Sequence, residues 1–317
     1  MLNKVPRDIL LLRSPSEDGG FDKYEEAFRA RGYRALSIPV LETVHTNIDK
    51  LSDIVRRGGL ISEQRQGRER EYAGVIMTSG RACEAWRIVV EQLTVGDSDA
   101  REEAGGWSTI PFYIVGQATA AALSAIHDSF PSSRYAPRDI RGAVESGSSE
   151  RLAHFIASDL SARPDGAQGR KLFYLTGDKN RDTLPKILTD AGIEVESLQV
   201  YATQGSSRFE EDLGNALEGV QALDPDDDDR WWIVYFAPSS AKHVLPTLRK
   251  QFDMPTTAKV EGQKAGTFRR ARLAAIGPTT STYLESELQL RVDVVAEKPN
   301  PDALAAGIAS WDGEQGF

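Results

Sequence analysis

The sequence contains very little cysteine and histidine. Cys83 is the only cysteine among 317 residues, so an intrachain disulfide is excluded. A lone thiol can serve as a nucleophile, but a small buried apolar residue near the start of a helix is its more common role. The histidines, His45, His127, His154 and His243, are far apart and lack a metal-ligand spacing such as His-x-x-x-His. We therefore predict no structural or catalytic metal.

Long apolar runs and an excess of positive charge are also absent. No run approaches the roughly 20 residues that span a bilayer. The apolar run at residues 9–12 is too short for a signal-peptide core and is typical of a buried strand, so we expect a cytoplasmic protein without a membrane partner. The net charge of −9 argues against a nucleic-acid partner, which needs a basic face. The acidic run at residues 224–229 indicates a solvated loop.

Several catalytic and phosphate-binding motifs are missing as well. No Gly-x-Gly-x-x-Gly follows a predicted strand, and no Gly-x-x-x-x-Gly-Lys-Ser/Thr is present. Both absences disfavour nucleoside phosphates as ligands. The sequence also shows no Ser/His/Asp arrangement and no Gly-x-Ser-x-Gly elbow. An obvious nucleophile or acid/base pair is therefore lacking.

The strongest pattern that is present is an internal repeat. The buried-strand pattern at residues 9–14 recurs at residues 172–177, and an amphipathic helix that ends at a glycine follows each copy. Equivalent anchors keep one spacing: Gly32 and Gly192, Thr43 and Thr203, and Ser79 and Ser239 are each 160 residues apart, and Gly116 and Gly277 are 161 apart. Such agreement is hard to obtain by chance, so two copies of one α/β unit make up most of the chain.

The repeat also predicts the fold class. Residues 35–43, 74–79 and 113–119 read as strands in the first copy, and residues 195–203, 232–239 and 274–280 correspond to them in the second. Short buried strands that alternate with amphipathic helices indicate parallel sheets covered by helices on both faces. At roughly 150 residues per domain, the length suggests two domains.

The segments between these anchors are polar. Residues 56–71, 97–106 and 254–270 lack apolar periodicity, and we expect surface loops or disordered segments there. Residues 131–149 are rich in serine, arginine and glycine. They are either a linker or a long loop between a strand and a helix.

Hydroxyl side chains and glycines follow the predicted strands, at the ends where parallel sheets bind ligands. Serine and threonine there are good N-caps, worth about 1 kcal/mol each. For any single residue, capping and ligand binding stay equally open. Taken together, free backbone N–H groups with adjacent hydroxyls form a surface suited to carboxylates or phosphates. The segments are residues 13–14, 78–81, 116–119, 176–177, 238–240 and 277–280.

Short motifs with a fixed order carry a family resemblance. They are Val-Ile-Met-Thr-Ser-Gly-Arg-Ala at 75–82, Val-Gly-Gln-Ala-Thr-Ala at 115–120, Val-Tyr-Ala-Thr at 200–203, Phe-Ala-Pro-Ser-Ser at 236–240, Leu-Ala-Ala-Ile-Gly-Pro-Thr-Thr at 273–280 and Lys-Pro-Asn-Pro-Asp-Ala-Leu at 298–304. Their order over nearly the whole chain resembles the eukaryotic uroporphyrinogen-III synthase family. The chain departs from it at Gly80, Ser148 and Arg272, where proline, asparagine and lysine are common, and its charged insertions are longer.

The resemblance implies two similar α/β domains joined by a two-stranded linker, with the active site in the cleft between them. Residues 1–36 and 204–317 would form one discontinuous domain, and residues 43–196 the inserted domain. Residues 37–42 and 197–203 would form the linker strands. The repeat agrees, because these two segments are equivalent positions of its two copies.

The resemblance also implies a reaction. The family is a cyclising lyase of haem biosynthesis that acts on hydroxymethylbilane, a linear tetrapyrrole with eight carboxylates. It eliminates the ring A hydroxyl, inverts ring D through a spiro intermediate and yields uroporphyrinogen III with net loss of water. No cofactor is implied, because no redox step occurs. Since the substrate also closes spontaneously to the uninverted isomer, the enzyme must mainly control geometry.

The resemblance marks Tyr201 as the catalytic residue. A phenol remains protonated at neutral pH and can assist departure of hydroxide. The alternative role is an aromatic packing residue, although Leu41, its partner in the repeat, shows that the fold does not demand a hydroxyl there. We expect substrate to be held by the strand-end segments, with arginines otherwise being solvated charges. The expected binding residues are Arg13, Ser14, Ser79, Arg81, Gly116, Gln117, Thr119, Ser239, Ser240, Arg272, Gly277, Thr279 and Thr280.

Other functions stay open at this point. A non-catalytic two-domain small-molecule binding protein would also contain duplicated α/β units and a hinge, although the sequence shows no signal peptide and no helix-turn-helix pattern. A sugar-nucleotide transferase would need an acidic metal-binding motif, and none is evident. The resemblance favours a monomer, with transient contact to the preceding and following pathway enzymes.

Overall fold

The computed structural model describes residues 7–16, 21–58, 71–96, 106–163, 170–218, 231–257 and 269–314. The polar segments predicted at residues 56–71, 97–106, 224–229 and 254–270 lie largely or wholly outside these ranges. Contacts divide the chain into two compact units, one made of Met1–Glu42 with Gln204–Phe317 and the other of Thr43–Thr203. The linker segments predicted at residues 37–42 and 197–203 adjoin the two boundaries, the first in unit 1 and the second in unit 2.

The elements follow one another in an alternating order. The strands are β1 (Asp8–Leu12), β2 (Arg34–Ser37), β3 (Leu41–His45), β4 (Gly74–Met77), β5 (Pro111–Ile114), β6 (Asp139–Arg141), β7 (Lys171–Gly177), β8 (Glu194–Gly205), β9 (Trp231–Tyr235), β10 (Phe252–Asp253), β11 (Arg269–Ala275) and β12 (Val294–Val295). The helices are α1 (Lys23–Arg29), α2 (Ile48–Arg56), α3 (Gly80–Gly96), α4 (Gln117–Ser129), α5 (Ser149–Ser161), α6 (Thr183–Asp190), α7 (Phe209–Glu218), α8 (Pro238–Leu248), α9 (Pro278–Ser286) and α10 (Pro301–Glu314).

Unit 1 is a helix-covered sheet with the strand order β10-β11-β9-β1-β2, and β12 pairs with β11. The pairings of β1 with β2, β1 with β9 and β9 with β11 are all parallel. Apolar side chains of α1 and α10 pack on one face, and those of α7, α8 and α9 pack on the other. Burial on both faces explains why β1 and β9 are continuous apolar runs rather than alternating ones.

Unit 2 is built in the same way, with the strand order β3-β8-β7-β4-β5-β6. The pairings from β8 through β6 are parallel. Helices α2, α3 and α4 cover one face of this sheet, and α5 and α6 cover the other. The predicted fold class, parallel sheets covered on both faces in each of two similar units, is therefore confirmed.

The two copies of the sequence repeat do not coincide with the two spatial units. The order β2-β1-β9-β11 in unit 1 matches β8-β7-β4-β5 in unit 2, strand for strand as the repeat pairs them. Each unit thus combines the first half of one copy with the second half of the other. In each unit the chain builds the sheet outward in two opposite directions from one point. That point lies between β1 and β9 in unit 1 and between β7 and β4 in unit 2. Ligands of open α/β sheets bind at such a switch point, beyond the carboxyl ends of the strands.

Two local predictions need correction. Residues 35–43 form two strands rather than one, because the chain leaves the sheet around Pro39, which has no N–H to donate to a ladder. Residues 131–149 are neither a plain linker nor a plain loop, since they contain β6, which pairs with β5. The predicted glycine stops are confirmed, with φ of 82° at Gly32 and 77° at Gly192, a region that favours glycine.

Candidate functional site

The ring of Tyr201 lies over the carboxyl end of β7. A Cβ atom added to Gly177 would be 2.3 Å from Tyr201 Cε2 and 2.8 Å from its hydroxyl oxygen. The pairing of β7 with β8 shifts by one residue here, so that Thr176 pairs with Gln199 and Gly177 with Tyr201. Such an irregularity re-aims side chains, and both Val200 and Tyr201 contact the core on the α3 face. Glycine at position 177 leaves the space that the half-buried phenol ring occupies.

Arg81 meets Tyr201 at this end of the sheet. It lies in the first turn of α3, just after β4, and its guanidinium carbon is 5.8 Å from the Tyr201 ring centroid. One guanidinium nitrogen is 3.5 Å from the Thr203 hydroxyl oxygen. Arg81 is exposed, so its charge remains available to a ligand. The structure thus brings the expected catalytic residue and one expected binding residue together at the switch point of unit 2.

A second tyrosine hydroxyl lies beneath the same strand ends. Tyr174, on β7, packs on the α5 and α6 face, and its hydroxyl is 3.4 Å from the Thr78 hydroxyl and donates to Asn180 Oδ1 at 2.9 Å. Burial raises the pKa of Tyr174. The hydrogen bond between Tyr174 and Asn180 could not be predicted from the sequence, because position 174 reads as an ordinary buried strand residue and position 180 as a polar loop residue.

Ser79 and Cys83 have local roles in α3. Ser79 Oγ accepts a hydrogen bond from the backbone N–H of Arg81 at 3.2 Å, which is the capping role that the sequence left open. Cys83 lies in the core, and burial raises the pKa of its thiol to about 12. A thiol of that kind is not a nucleophile at neutral pH. The prediction of a small buried residue at position 83 is confirmed.

The end of β5 presents a helix start without a side-chain cap. Gly116 is the N-cap of α4, with φ of 76°. Among the described residues, no N-cap side chain accepts a hydrogen bond from the first turn of α4. Gln117 is exposed, and Thr119 is only 6% exposed. Backbone N–H groups of an uncapped first turn suit an anion. Gly116 and Gln117 are therefore well placed to bind a carboxylate, whereas the Thr119 side chain is largely covered.

Two helix starts in unit 1 also lack a side-chain cap within the described residues, but each begins with a proline, which has no N–H. Ala237 is the N-cap of α8 and Gly277 that of α9, and in the described ranges neither makes a side-chain capping bond. The helices begin beyond adjacent strands, β9 and β11. The hydroxyls expected to bind substrate lie inside the first turns rather than at the caps. Ser239 and Thr279 are exposed, whereas Ser240 and Thr280 are buried, and Ser240 Oγ donates to the Ala237 carbonyl at 3.0 Å.

Arg13 and Ser14 follow β1, on the other side of the unit 1 switch point from β9. Ser14 is exposed. The Arg13 guanidinium donates to Asp22 Oδ2 at 2.6 Å and lies 4.9 Å from the Tyr24 ring centroid and 5.6 Å from that of Phe236. Arg13 therefore has a fixed position at the strand ends, held by an ion pair and two rings.

Asp22 gives a test of how firmly Arg13 is held. Burial raises the pKa of Asp22, but hydrogen bonds from Arg13 and from the backbone N–H groups of Glu25 and Ser16 outweigh it and lower the pKa to about 2. A carboxyl whose pKa is lowered by folding stabilises the folded state at pH values above 3.8, its pKa in the unfolded chain. This stabilisation is lost as the pH falls toward 2. We expect Asp22→Asn to lower the free energy of unfolding by about 2 kcal/mol at pH 6.

The measurement is urea unfolding of both proteins between pH 6 and pH 2.5. The difference in free energy of unfolding between wild type and Asp22→Asn should become smaller below pH 4, because only the wild type has a titrating group at this position. A gap that is constant over this range would show that the pKa of Asp22 is not lowered in the folded state.

Arg272 differs from the other expected binding residues. It pairs with Trp232 within the sheet, three residues before β11 ends, and is buried. Its guanidinium carbon lies 4.5 Å from the ring centroid of Trp311 on α10. Trp311 is next to Asp312, which pairs with Arg7 and accepts hydrogen bonds from Tyr33 and Trp232. The structure does not bring Arg272 to the strand ends, and its contacts indicate a role in packing α10.

Comparison with known proteins decides the family. Residues 22–306 match the family described as Uroporphyrinogen-III synthase HemD. The chain belongs to the uroporphyrinogen-III synthase family. The match covers most of both spatial units, which agrees with a family resemblance spread along the whole chain.

Relatives of similar length carry the same name. The uroporphyrinogen-III synthase of Schizosaccharomyces pombe is 28% identical over 308 residues, which cover 97% of this chain and 98% of that protein. The uroporphyrinogen-III synthase of Saccharomyces cerevisiae is 26% identical over 308 residues, which cover 95% of this chain and 94% of that protein.

Solved structures of bacterial members were also matched. The enzyme of Helicobacter pylori is 16% identical with a TM-score of 0.39, covering 96% of this chain and 99% of that one. That of Thermus thermophilus is 18% identical with a TM-score of 0.35, covering 96% and 99%. Neither likeness is needed for the family assignment.

Among the helices in the described ranges, none is long and apolar enough to cross a membrane.

Proposed function

We propose that the chain is a uroporphyrinogen-III synthase, a lyase that cyclises hydroxymethylbilane to uroporphyrinogen III with inversion of ring D, in haem biosynthesis. The family match supports the reaction. The observation that carries the assignment of the site is the position of Tyr201, whose phenol ring lies over Gly177 with the exposed Arg81 guanidinium 5.8 Å from its centroid.

Tyr201 is proposed to assist the first bond cleavage. The ring A carbon–oxygen bond breaks, and the departing hydroxide needs a proton or a strong hydrogen bond. The phenol O–H of Tyr201 can donate such a hydrogen bond at the unit 2 strand ends. Thr203 and Arg81 lie beside it and restrict where a substrate can sit. Closure then requires mainly that the flexible chain be held so that ring D is attacked at its substituted carbon.

The carboxylates of the substrate are proposed to bind at the uncapped helix starts. First-turn backbone N–H groups are offered at Gln117 of α4, Ser239 of α8 and Thr279 of α9, each of which also has an exposed polar side chain. In α8 and α9 the preceding residue is a proline, which has no N–H. The positive ends of these helices favour anions. Ser14 and Arg13 add a hydroxyl and a cation beside β9. The expectation that one substrate molecule contacts both units stays a prediction.

The test is formation of the inverted isomer. The protein is incubated with enzymatically prepared hydroxymethylbilane, the products are oxidised, and isomers I and III are separated by chromatography. We expect isomer III at a rate proportional to enzyme concentration, against isomer I alone in the blank. Isomer I alone, at the spontaneous rate, would leave a binding protein without catalysis as the better description.

The remaining expectations concern assembly and location. We propose that the protein acts as a cytoplasmic monomer, with transient contacts to the preceding and following enzymes. Light scattering of the purified protein gives the oligomeric state directly.

A further inference from the structure

The segment that follows β7 is attached to the sheet at two points. Asp178 Oδ1 accepts a hydrogen bond from the backbone N–H of Thr203 at 3.3 Å, and Asn180 Oδ1 accepts one from the Tyr174 hydroxyl at 2.9 Å. Lys179 lies between the two attached residues, and its side chain is exposed. Across the ranges that the structure describes, Lys179 takes part in no ion pair. The backbone on both sides of this cation is therefore attached to the sheet, and no described residue supplies a charge partner for it.

Both attachment points belong to the site already described. Thr203 approaches Arg81 through its hydroxyl, and Tyr174 approaches Thr78 at the end of β4. Strands β4, β7 and β8 are neighbours, so Lys179 is attached to the same strand ends that position Tyr201.

The attachments exceed what a surface turn requires. An exposed turn of this length can satisfy its polar groups with water, and ordering it costs about 1–2 kcal/mol per residue. A lysine whose backbone is already ordered loses less conformational entropy when it binds an anion, and this favours affinity. Tyr174 is also buried, so its hydroxyl requires hydrogen-bond partners, and it finds them in Asn180 and Thr78.

We propose that Lys179 binds a carboxylate of the tetrapyrrole substrate, and that Tyr174, through its hydrogen bond to Asn180, positions the segment that carries it. Tyr174 is a positioning residue in this scheme, since it acts through Asn180. The proposal rests on the proposed function and adds a cation from the segment after β7 to the binding groups named above. Neither residue is part of the bond-breaking chemistry.

The first experiment compares Lys179→Met with Lys186→Met. Lys186 is an exposed lysine on α6, seven residues further along the chain, so its replacement removes the same charge from outside the attached segment. We expect Lys179→Met to raise KM for hydroxymethylbilane about fivefold with kcat within about twofold, because the lost contact is present in both ground and transition state. The KM of Lys179→Met should also depend less on salt than that of wild type. Lys186→Met should match wild type in all three quantities.

The second experiment tests the positioning. Tyr174→Phe and Asn180→Ala should each raise KM about threefold in the presence of Lys179, and should have no further effect on KM when combined with Lys179→Met. Effects that simply multiply in the double variants would show that Tyr174 and Asn180 act independently of Lys179 and would overturn this part.

The outcomes separate the two proposals. A wild-type protein that forms only isomer I overturns the proposed function. A wild-type protein that forms isomer III, with the KM and salt dependence of Lys179→Met equal to those of Lys186→Met, overturns only the role of Lys179.

Discussion

Replacing Tyr201 with Phe is expected to lower kcat for isomer III by about 100-fold, the lower end of the range for a positioned proton donor. The substitution removes only the hydroxyl oxygen, and the ring keeps its place over Gly177. The free energy of unfolding should therefore change little. The rate of isomer III formation under saturating substrate measures the effect, and urea unfolding measures the stability.

A matched control is available at Tyr135. Its hydroxyl accepts a hydrogen bond from Arg134, and the segment lies near the amino end of β5, where Ser108 N–H bonds the Arg134 carbonyl. Tyr135→Phe removes the same atom far from the strand ends and should leave kcat unchanged. If Tyr201→Phe retained full activity, Tyr201 would be a packing residue and the proposed proton donation would be wrong.

Replacing Gly177 with Ala is expected to lower kcat nearly as much as removing the hydroxyl. The new Cβ would lie 2.3 Å from Tyr201 Cε2, closer than real atoms approach, so the ring must leave its position. Forcing an extra carbon into a filled space costs about 1–3 kcal/mol of stability. The measurements are kcat for isomer III and urea unfolding of the same preparation.

The control for this variant is Gly214→Ala on α7. A Cβ at Gly214 meets nothing within 4 Å among the described residues. Alanine there should stabilise the helix by about 0.5–1 kcal/mol and leave kcat unchanged. Wild-type activity in a folded Gly177→Ala protein would show that the position of the Tyr201 ring does not matter for the reaction.

The sequence predicted the architecture well because the repeat fixes it. Anchors 160 residues apart identify equivalent strands, and continuous apolar runs identify strands buried on both faces. The strand-end pattern and the family resemblance together brought Arg81 and Tyr201 into one candidate site, and the structure places the Arg81 guanidinium carbon 5.8 Å from the Tyr201 ring centroid. Strand β6 was not predicted, because three residues with mixed polarity carry no periodic signal.

The details of the site depend on geometry that a sequence pattern does not contain. The shift between β7 and β8 decides where the Tyr201 ring points, yet it leaves the apolar pattern of β8 unchanged. The role of Tyr174 depends on its hydroxyl reaching a loop residue, Asn180, across the strand end. Arg272 directly precedes a family motif and was expected to bind substrate, but its side chain packs on Trp311 because its position within β11 turns it toward α10.

The helix starts show a further limit. Serine and threonine near a strand end suggest N-caps, and Ser79 does cap α3. At α4, α8 and α9, however, the caps are Gly116, Ala237 and Gly277, and the hydroxyls lie two or three residues later. A shift of one residue converts a capped helix start into one whose N–H groups are open to an anion. The uncapped starts therefore support carboxylate binding more directly than the hydroxyls do.

The isomer composition under single-turnover conditions tests the central claim most directly. With enzyme in excess over hydroxymethylbilane, every substrate molecule closes while bound, so spontaneous closure in solution contributes little. The account predicts that nearly all of the product is isomer III, and that Tyr201→Phe and Gly177→Ala shift the product toward isomer I. A wild-type product that consists of isomer I, formed at the rate of the blank, would contradict it.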